Sequence, residues 1–284
     1  MVATRSNARE FEIVLYGSTG DAGKAMAAHF AKHGGSMRWA IAGRSEAKLR
    51  ALKEAIGGCA PAIIVADAGD YTSLCTMAGR AQVLLTAMGP YAQLGEPVVK
   101  ACIQERTHYC DITGEVQWVS EMKAQYGGAA QTAGVCICSL CGYDCVPAEL
   151  AVAVSARALR EAGGGALSDV EAVFDAFDGG LPRGTALTLL SMVGIRASYR
   201  MAVGWREFVP VSERLAAYYS LILWALPAWS SQYGAYTMPN GMGAVNVPAA
   251  HKCASALGVG GLVYRDRCPL PLGRGRWTIR ESLA

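Results

Sequence analysis

The sequence predicts an α/β protein in which a doubly wound parallel sheet is followed by a second domain of mixed α+β structure. Short apolar runs alternate with segments of helical spacing over the first 140 of 284 residues, which is the pattern of parallel strands joined by helices. Glycines cluster directly after the first apolar run. The alternation is lost beyond residues 142–146, so we place the first domain at residues 1–145 and the second at 146–284.

The first strand, turn and helix span residues 13–35. An apolar run is followed by the spacing G-x-x-G-x-x-G at Gly17, Gly20 and Gly23, and then by an Ala-rich helical segment. Gly17 allows a sharp turn, Gly20 allows a pyrophosphate to approach the backbone, and Gly23 allows close packing of helix against strand. The N–H groups of the first helical turn then face the anion. The motif predicts a dinucleotide site, and a glycine turn without a ligand is the alternative.

The second predicted strand, residues 37–43, runs directly into Arg44. In a dinucleotide-binding fold, an acidic residue at this strand end accepts a hydrogen bond from the 2′-hydroxyl of NAD. The arginine found here instead suits the 2′-phosphate of NADP. We therefore predict NADP as the preferred cofactor, with NAD as the alternative. A surface arginine at a helix start is the competing interpretation.

The next two strands also end at candidate site residues. The third, residues 61–66, ends at Asp67, a carboxylate that either accepts a hydrogen bond from the adenine amino group or caps the next helix. The fourth, residues 82–88, breaks at Gly89 and Pro90. This pair makes a sharp exit from the strand, at the edge of the sheet where ligands bind in open α/β folds.

The other predicted elements of the first domain are a helix over 46–56, a helix over 95–105 with Pro97 in its first turn, a strand over 107–113, a helix over 116–130 and a strand over 134–140. A helix over 147–162 opens the second domain. The period-two pattern of residues 169–177 predicts a strand with one wet face, as in an antiparallel sheet.

Composition excludes several classes of protein. The net charge of +3 is too small and too dispersed for nucleic-acid binding. Ten cysteines without a signal peptide indicate reduced thiols and a cytoplasmic protein. No apolar run reaches the roughly 18 residues of a membrane-spanning helix. The longest, residues 215–229, is rich in Tyr and Trp. It predicts either a buried helix or homodimer contact, or a peripheral contact with a membrane or lipid droplet.

Four cysteines fall within ten residues, at Cys136, Cys138, Cys141 and Cys145. Zinc and iron–sulfur sites use C-x-x-C knuckles on turns, which bring four sulfurs together. Cys136 and Cys138 instead fall on one face of a predicted strand, and buried cysteine behaves as a small hydrophobe. We therefore predict no metal site and assign these cysteines to core packing.

Five ordered motifs stand between residues 12 and 150: YGSTGDAG at residue 16, AIAGR at 40, MGPYAQLGEPVVKAC at 88, YCDITGE at 109 and CGYDCVPAEL at 141. Together they resemble the saccharopine dehydrogenase-like oxidoreductases. That family includes the trans-acting enoyl reductases of glycolipid synthesis and members associated with lipid droplets. Looser matches occur at residues 184–185 and 238–256.

The resemblance implies a Rossmann-type domain that binds NAD(P), and a second domain that carries a lipid-like or amino-acid-derived substrate. Residues implied to bind the cofactor are Arg44 at the 2′-phosphate, Gly89 and Pro90 near the nicotinamide ribose, and five residues of the glycine turn: Gly17, Ser18, Thr19, Gly20 and Gly23. Family members extend beyond the position of Ala284, so we expect the second domain to be incomplete at its carboxyl end.

Hydride transfer to a carbonyl, imine or enone requires a proton donor. The reductase pattern of Tyr followed four residues later by Lys does not occur in this sequence. The candidate donors are polar residues near strand ends: Tyr91, Asp111, Glu115, Tyr143 and Asp144. Of these, Tyr143 or Asp144 is the predicted donor. Capping of the helices that follow is the alternative role for the acids.

We therefore expect an NADP-dependent oxidoreductase of the saccharopine dehydrogenase-like type, acting on a lipid-linked enoyl or related substrate. One alternative is a non-catalytic nucleotide-binding protein associated with lipid droplets or membranes. Another is saccharopine dehydrogenase of lysine metabolism. The latter is disfavoured because the arginines after residue 145 are scattered, whereas an amino-dicarboxylate needs several arginine clamps.

Overall fold

The computed structural model describes residues 9–57, 61–174, 205, 208–224, 226–231 and 233–269. These divide into two compact units. The first contains the described residues up to 113 together with 121–141, and the second contains 114–120 and the described residues from 142 onward. The change of unit after residue 141 lies four residues before the predicted domain boundary. The short segment 114–120 is a further difference, because it belongs with the second unit.

The described residues of the first unit form a six-stranded sheet with all of its pairings parallel, in the order β3-β2-β1-β4-β5-β6. Its strands are β1 (Phe11–Tyr16), β2 (Trp39–Gly43), β3 (Ala62–Val65), β4 (Ala81–Thr86), β5 (His108–Asp111) and β6 (Ile137–Cys138). The strand order reverses between β1 and β4, where an open α/β sheet binds its ligand. The predicted doubly wound α/β fold is confirmed.

The helices that alternate with these strands are α1 (Asp21–His33), α2 (Glu46–Ile56), α3 (Tyr71–Gly79), α4 (Tyr91–Gln104) and α5 (Val116–Ala133). The prediction for α4 was wrong at its start, because the helix begins at Tyr91 and Pro97 lies inside it. Pro90 is the N-cap, with an extended backbone (φ −70°, ψ 131°). Its fixed φ makes it a good last residue before a helix, so the helix begins one turn earlier than Pro97 indicated.

The core of the first unit lies between the sheet and its helices. Leu15 of β1 and Ile41 of β2 are fully buried and belong to one apolar cluster with Ala27 of α1 and Leu49 of α2. Both faces of β2 are buried, as expected for a strand covered by helices on both sides. This packing fixes the carboxyl ends of β1 and β2, from which the candidate site is built.

The second unit contains a four-stranded mixed sheet in the order β7-β10-β9-β8. Its strands are β7 (Asp169–Val173), β8 (Ala228–Ser230), β9 (Ala235–Pro239) and β10 (Val263–Pro269). The antiparallel pairing predicted for β7 is wrong, since β7 pairs in parallel with β10. The side chains of β7 are only partly buried because β7 is an edge strand. The direction of the neighbouring strand is not the cause. Residues 175–177 of the predicted strand lie outside the described residues.

Helices α6 (Val146–Glu161), α7 (Arg214–Trp224) and α8 (Gly243–Ala256) belong to this unit, as do a 3₁₀ helix (Val211–Glu213) and the first turn of α5. Val152 of α6, Val247 of α8 and Tyr264 of β10 belong to one buried apolar cluster. The apolar stretch 215–229 therefore holds most of α7 and the beginning of β8. Within the described ranges, the structure has no helix whose length and apolar character would let it span a bilayer.

Candidate nucleotide-binding site

The glycine turn connects the carboxyl end of β1 to the start of α1. Gly17 has a left-handed backbone (φ +78°), and a Cβ added there would lie 3.0 Å from the Cβ of Met88. A Cβ on Gly23 would overlap the carbonyl oxygen of Gly17 and lie 2.6 Å from the Cα of Ser18. Both glycines are therefore required by the turn itself, as the motif predicted.

Gly20 differs from Gly17 and Gly23, because the turn itself does not require a glycine there. Its backbone is extended (φ −77°, ψ 170°), and a Cβ there would meet one atom within 4 Å, the Gly17 carbonyl oxygen at 3.5 Å. Space beside Gly20 is thus open, as the approach of a pyrophosphate requires. Gly20 is also the N-cap of α1 and provides no side-chain hydrogen bond to the helix start. The first-turn N–H groups have the position and the dipole that favour a phosphate.

Ser18 and Thr19 occupy the middle of the turn. Ser18 is fully buried, and its hydroxyl donates to the carbonyl oxygen of Ala42 at 3.1 Å. Its backbone N–H also points to this oxygen, at 3.3 Å. The Ser18 side chain therefore ties the turn to β2, a role that the sequence motif did not reveal. Thr19 is half-buried.

Arg44 stands exposed directly after β2. Among the described residues, it makes no ion pair and no side-chain hydrogen bond. Its charge acts on the phenol of Tyr16, the last residue of β1. Burial raises the pKa of Tyr16 to about 12, with Asp67 raising it further and Arg44 lowering it. Arg44 and Asp67 thus both lie near the carboxyl end of β1, with the arginine available for an anion. Tyr16 was not among the predicted site residues.

Asp67 follows β3 and closes a turn. Its Oδ1 accepts a hydrogen bond from the backbone N–H of Gly69 at 2.9 Å. The helix that follows is capped by Asp70, whose carboxylate accepts from the N–H groups of Thr72 and Ser73. Of the two roles considered for Asp67, helix capping therefore belongs to Asp70. The adenine contact stays a prediction.

Gly89 and Pro90 leave the carboxyl end of β4, joined by a cis peptide bond. The hydroxyl of Tyr91 donates to the carbonyl oxygen of Thr86 at 3.0 Å, and the N–H of Met88 donates to the Thr86 hydroxyl at 3.2 Å. These bonds hold the segment beside the glycine turn at the reversal of strand order. A role for Gly89 and Pro90 near a nicotinamide ribose stays a prediction.

Asp111, at the end of β5, is fully buried. Its carboxylate accepts hydrogen bonds from the N–H groups of Thr113 and Leu140, at 3.0 and 3.1 Å, and from the Ser139 hydroxyl at 2.8 Å. Burial raises the pKa of Asp111, while these hydrogen bonds oppose that shift. Asp111 therefore joins the ends of β5 and β6, and its oxygens are already occupied by the protein.

The other three candidates belong to the second unit. Glu115 is buried. Asp144 is half-buried, and burial raises the pKa of its carboxyl group. Its Oδ2 lies 3.8 Å from the position of a Cβ on Gly114. Tyr143 is 66% exposed, and its ring meets that of Phe174 edge-on. Asp144 has the better environment for a proton donor, because a raised pKa keeps more of the acid protonated.

The cysteine assignment was wrong in part. Cys145 is buried at the start of α6, but Cys136 and Cys138 are exposed. The predicted strand over 134–140 is reduced to the two residues of β6 at the sheet edge, so its alternate positions are not covered. The described part of the chain shows no group of three or more His, Cys, Asp or Glu side chains arranged to hold a metal ion.

A parallel sheet with a glycine turn between its first strand and an uncapped helix defines a dinucleotide-binding domain. Residues 13–138 match the family model described as the saccharopine dehydrogenase NADP binding domain. The match confirms the predicted resemblance to the saccharopine dehydrogenase-like family and the predicted NADP cofactor. The matching model describes the NADP binding domain of a dehydrogenase, in line with the predicted NAD(P)-dependent oxidoreductase.

The chain is also similar to mycobacterial proteins named as trans-acting enoyl reductases. A protein of Mycobacterium tuberculosis, assigned provisionally as a trans-acting enoyl reductase, is 42% identical over 187 residues, which cover 65% of this chain and 45% of that protein. The trans-acting enoyl reductase of Mycobacterium bovis is 42% identical over 171 residues, covering 60% of this chain and 41% of the relative. The chain thus spans less than half the length of these relatives.

Solved structures include an apo saccharopine dehydrogenase (L-Glu forming) from Saccharomyces cerevisiae. It is 19% identical, with a TM-score of 0.47 over 57% of this chain and 34% of that one. An NADPH-dependent quinone oxidoreductase from Escherichia coli is 20% identical, with a TM-score of 0.36 over 68% of this chain and 62% of that one.

Proposed function

We propose that this protein uses NADPH to reduce a lipid-linked enoyl or related substrate. The observation that carries the cofactor half of the proposal is the open, uncapped helix start at Gly20. The exposed Arg44 follows the neighbouring strand β2 and makes no ion pair with any other described residue. The substrate half is supported by relatives named trans-acting enoyl reductases.

Some of the candidate residues would bind NADPH, and others would supply a proton to the substrate. The first-turn N–H groups of α1 would hold the pyrophosphate, and Arg44 would pair with the 2′-phosphate. Bound NADPH would supply a hydride to a carbon of the substrate double bond. Asp144 would protonate the neighbouring carbon, with Tyr143 as the alternative donor. Because burial raises the pKa of Asp144, the acid keeps its proton at a higher pH than an exposed aspartic acid.

The test is to incubate the purified chain with NADPH and long-chain enoyl thioesters and to measure NADPH oxidation as the loss of NADPH absorbance. Matched reactions contain keto and imino substrates, including glutamate with aminoadipate semialdehyde. Oxidation with the enoyl substrate and product with a saturated bond support the proposal. Tight NADPH binding without oxidation of any substrate would instead identify a non-catalytic nucleotide-binding protein, and oxidation with the amino-acid pair would identify a saccharopine dehydrogenase.

We also propose that the second unit makes a peripheral contact with lipid. Helix α7 presents an exposed apolar face, on which Leu215 is 83% exposed and Tyr219 and Ile222 are also exposed. Trp229 and Tyr236 add exposed rings from β8 and β9. Aromatic and aliphatic side chains together are typical of surfaces that enter the headgroup region of a bilayer. A homodimer contact through the same face is the alternative partner.

A further inference from the structure

Three thiols meet at the carboxyl ends of β5 and β6, strands that β4 separates from β1 and its glycine turn in the order of the sheet. Cys138 and Cys141 form a C-x-x-C sequence, and their Sγ atoms lie 3.3 Å apart. Cys110 is the direct neighbour of Cys138 across the parallel pair of strands. The nearby Cys136 has no comparable sulfur contact within the described residues.

The backbone holds this pair of sulfurs together. Ser139 and Leu140, the two residues between the cysteines, both donate hydrogen bonds to the buried carboxylate of Asp111. The N–H of Cys141 donates to the Asp111 carbonyl oxygen at 2.9 Å. Leu140 has a left-handed backbone (φ 66°) that this anchoring stabilises. These hydrogen bonds fix the backbone between the two cysteines, and so they set the separation of the two sulfur atoms.

The two thiols have different environments. The side chain of Cys138 is exposed, whereas Cys141 is half-buried. The Cys141 thiol donates toward the sulfur of Cys110, which lowers the pKa of Cys110 and raises the pKa of Cys141. Because the Cys138 side chain is exposed, an oxidant from solvent reaches it first, and the Cys141 sulfur lies 3.3 Å away as the second thiol.

We propose that Cys138 and Cys141 are a modification site, an oxidisable dithiol that a peroxide converts to an intramolecular disulfide. Cys138 sulfur attacks one peroxide oxygen, the O–O bond breaks, and the products are a sulfenic acid and water. The Cys141 thiol then attacks the Cys138 sulfur, and the sulfenic oxygen leaves as a second water. Two electrons pass from the two thiols to the peroxide. The sulfurs must approach by about 1.3 Å to reach the disulfide bond length of roughly 2.05 Å.

The test uses the whole chain, first reduced and then treated with hydrogen peroxide. Remaining thiols are alkylated, and the tryptic peptides are sequenced by mass spectrometry. Cys110 falls in a different tryptic peptide from Cys138 and Cys141. A disulfide between Cys138 and Cys141 is therefore distinguished from a cross-link to Cys110. We expect a single peptide that contains both cysteines, lighter by two hydrogens and resistant to alkylation at both. Cys138→Ser and Cys141→Ser should each abolish this product.

The matched control is Cys136→Ser, another exposed cysteine on the same segment, which should leave the disulfide unchanged. Phenylarsine oxide, which bridges two neighbouring thiols, gives a second measurement on the unsubstituted protein. It should bind with one equivalent and protect Cys138 and Cys141 from alkylation. A stable sulfenic acid at Cys138, a cross-link to Cys110, or protection of other cysteines by the arsenical would overturn the proposal.

Discussion

Gly23 packs directly against the carbonyl oxygen of Gly17, so that a Cβ at position 23 would overlap this oxygen. The first turn of α1 can therefore approach β1 only while residue 23 is glycine. This contact fixes where the helix begins and so where its N–H groups point. Gly20, between the two, faces open space. One glycine triplet thus combines two residues required for folding with one that leaves room for a ligand.

Substitution of the glycines should separate these roles. Gly23→Ala is expected to lower the free energy of unfolding by at least about 2 kcal/mol, because the backbone must shift to admit the methyl group. Gly20→Ala should leave stability nearly unchanged and weaken NADPH binding. Urea denaturation and NADPH titration measure the two effects.

Gly128 provides the matched control for these glycine substitutions. It lies inside α5, with nothing within 4 Å of an added Cβ. Gly128→Ala should stabilise the protein by about 0.5–1 kcal/mol, since alanine is the better helix former. Equal stability of Gly23→Ala and Gly128→Ala would contradict the packing described for the turn.

Asp266 should make stability depend on pH. It is fully buried in β10, where the side-chain amides of Asn240 and Asn246 donate to its carboxylate at 2.9 and 2.5 Å. Burial nevertheless raises its pKa to about 6. The native state therefore binds this proton more tightly than the unfolded state, whose aspartate pKa is about 3.9. The stability that the proton contributes is complete below about pH 4 and is lost as the pH rises through about 6.

The size of this loss is at most about 3 kcal/mol, at roughly 1.4 kcal/mol for each unit of pKa. Urea unfolding measured between pH 4 and pH 8 should show it, and Asp266→Asn should remove this contribution to the pH dependence. Identical pH profiles for the variant and the unsubstituted protein would show that Asp266 has no raised pKa in the native state.

Asp144 should act in turnover and not in cofactor binding. If it is the proton donor of the proposed reduction, Asp144→Asn should lower the rate of NADPH oxidation about 100-fold, with the dissociation constant of NADPH unchanged. Tyr143→Phe should have the smaller effect, because the phenol is exposed. Unchanged turnover in the Asp144 variant, or a larger loss in the Tyr143 variant, would exclude this assignment.

The lipid contact predicts that the chain floats with liposomes of mixed neutral and anionic lipids. Ile222→Asp places a charge on the exposed face of α7 and should abolish flotation. Leu257→Asp, at another exposed apolar position, is the control and should float normally. If the unsubstituted protein does not float but forms a dimer, and Ile222→Asp abolishes the dimer, this face is instead a homodimer contact.

Much of the first unit follows from the sequence because its signals are local. Apolar runs locate β1 to β5, and the glycine spacing locates the turn, since each depends on neighbours within a few residues. The exposure of Cys138 was missed because it depends on β6 being short and at the sheet edge, a consequence of tertiary pairing. The anchoring of Leu140 by Asp111 joins residues 29 positions apart, which no local pattern reveals.

The second unit was less predictable for the same physical reason. The direction of β7 depends on β10, which lies far along the chain. The apolar stretch 215–229 divides between a helix and a strand, although its composition is uniform. Arg44 was located correctly at a strand end by sequence, but its coupling to Tyr16 through space was not evident.

Cofactor selection by Arg44 can be tested by titrating the protein with NADPH and with NADH while monitoring cofactor fluorescence. The unsubstituted protein should bind NADPH about 10- to 100-fold more tightly than NADH, as expected for a charged hydrogen bond of about 1.5–3 kcal/mol. Arg44→Gln should abolish this preference, whereas Arg50→Gln, which breaks an exposed pair with Glu46, should preserve it. A preference for NADPH that survives Arg44→Gln would show that Arg44 does not select the cofactor.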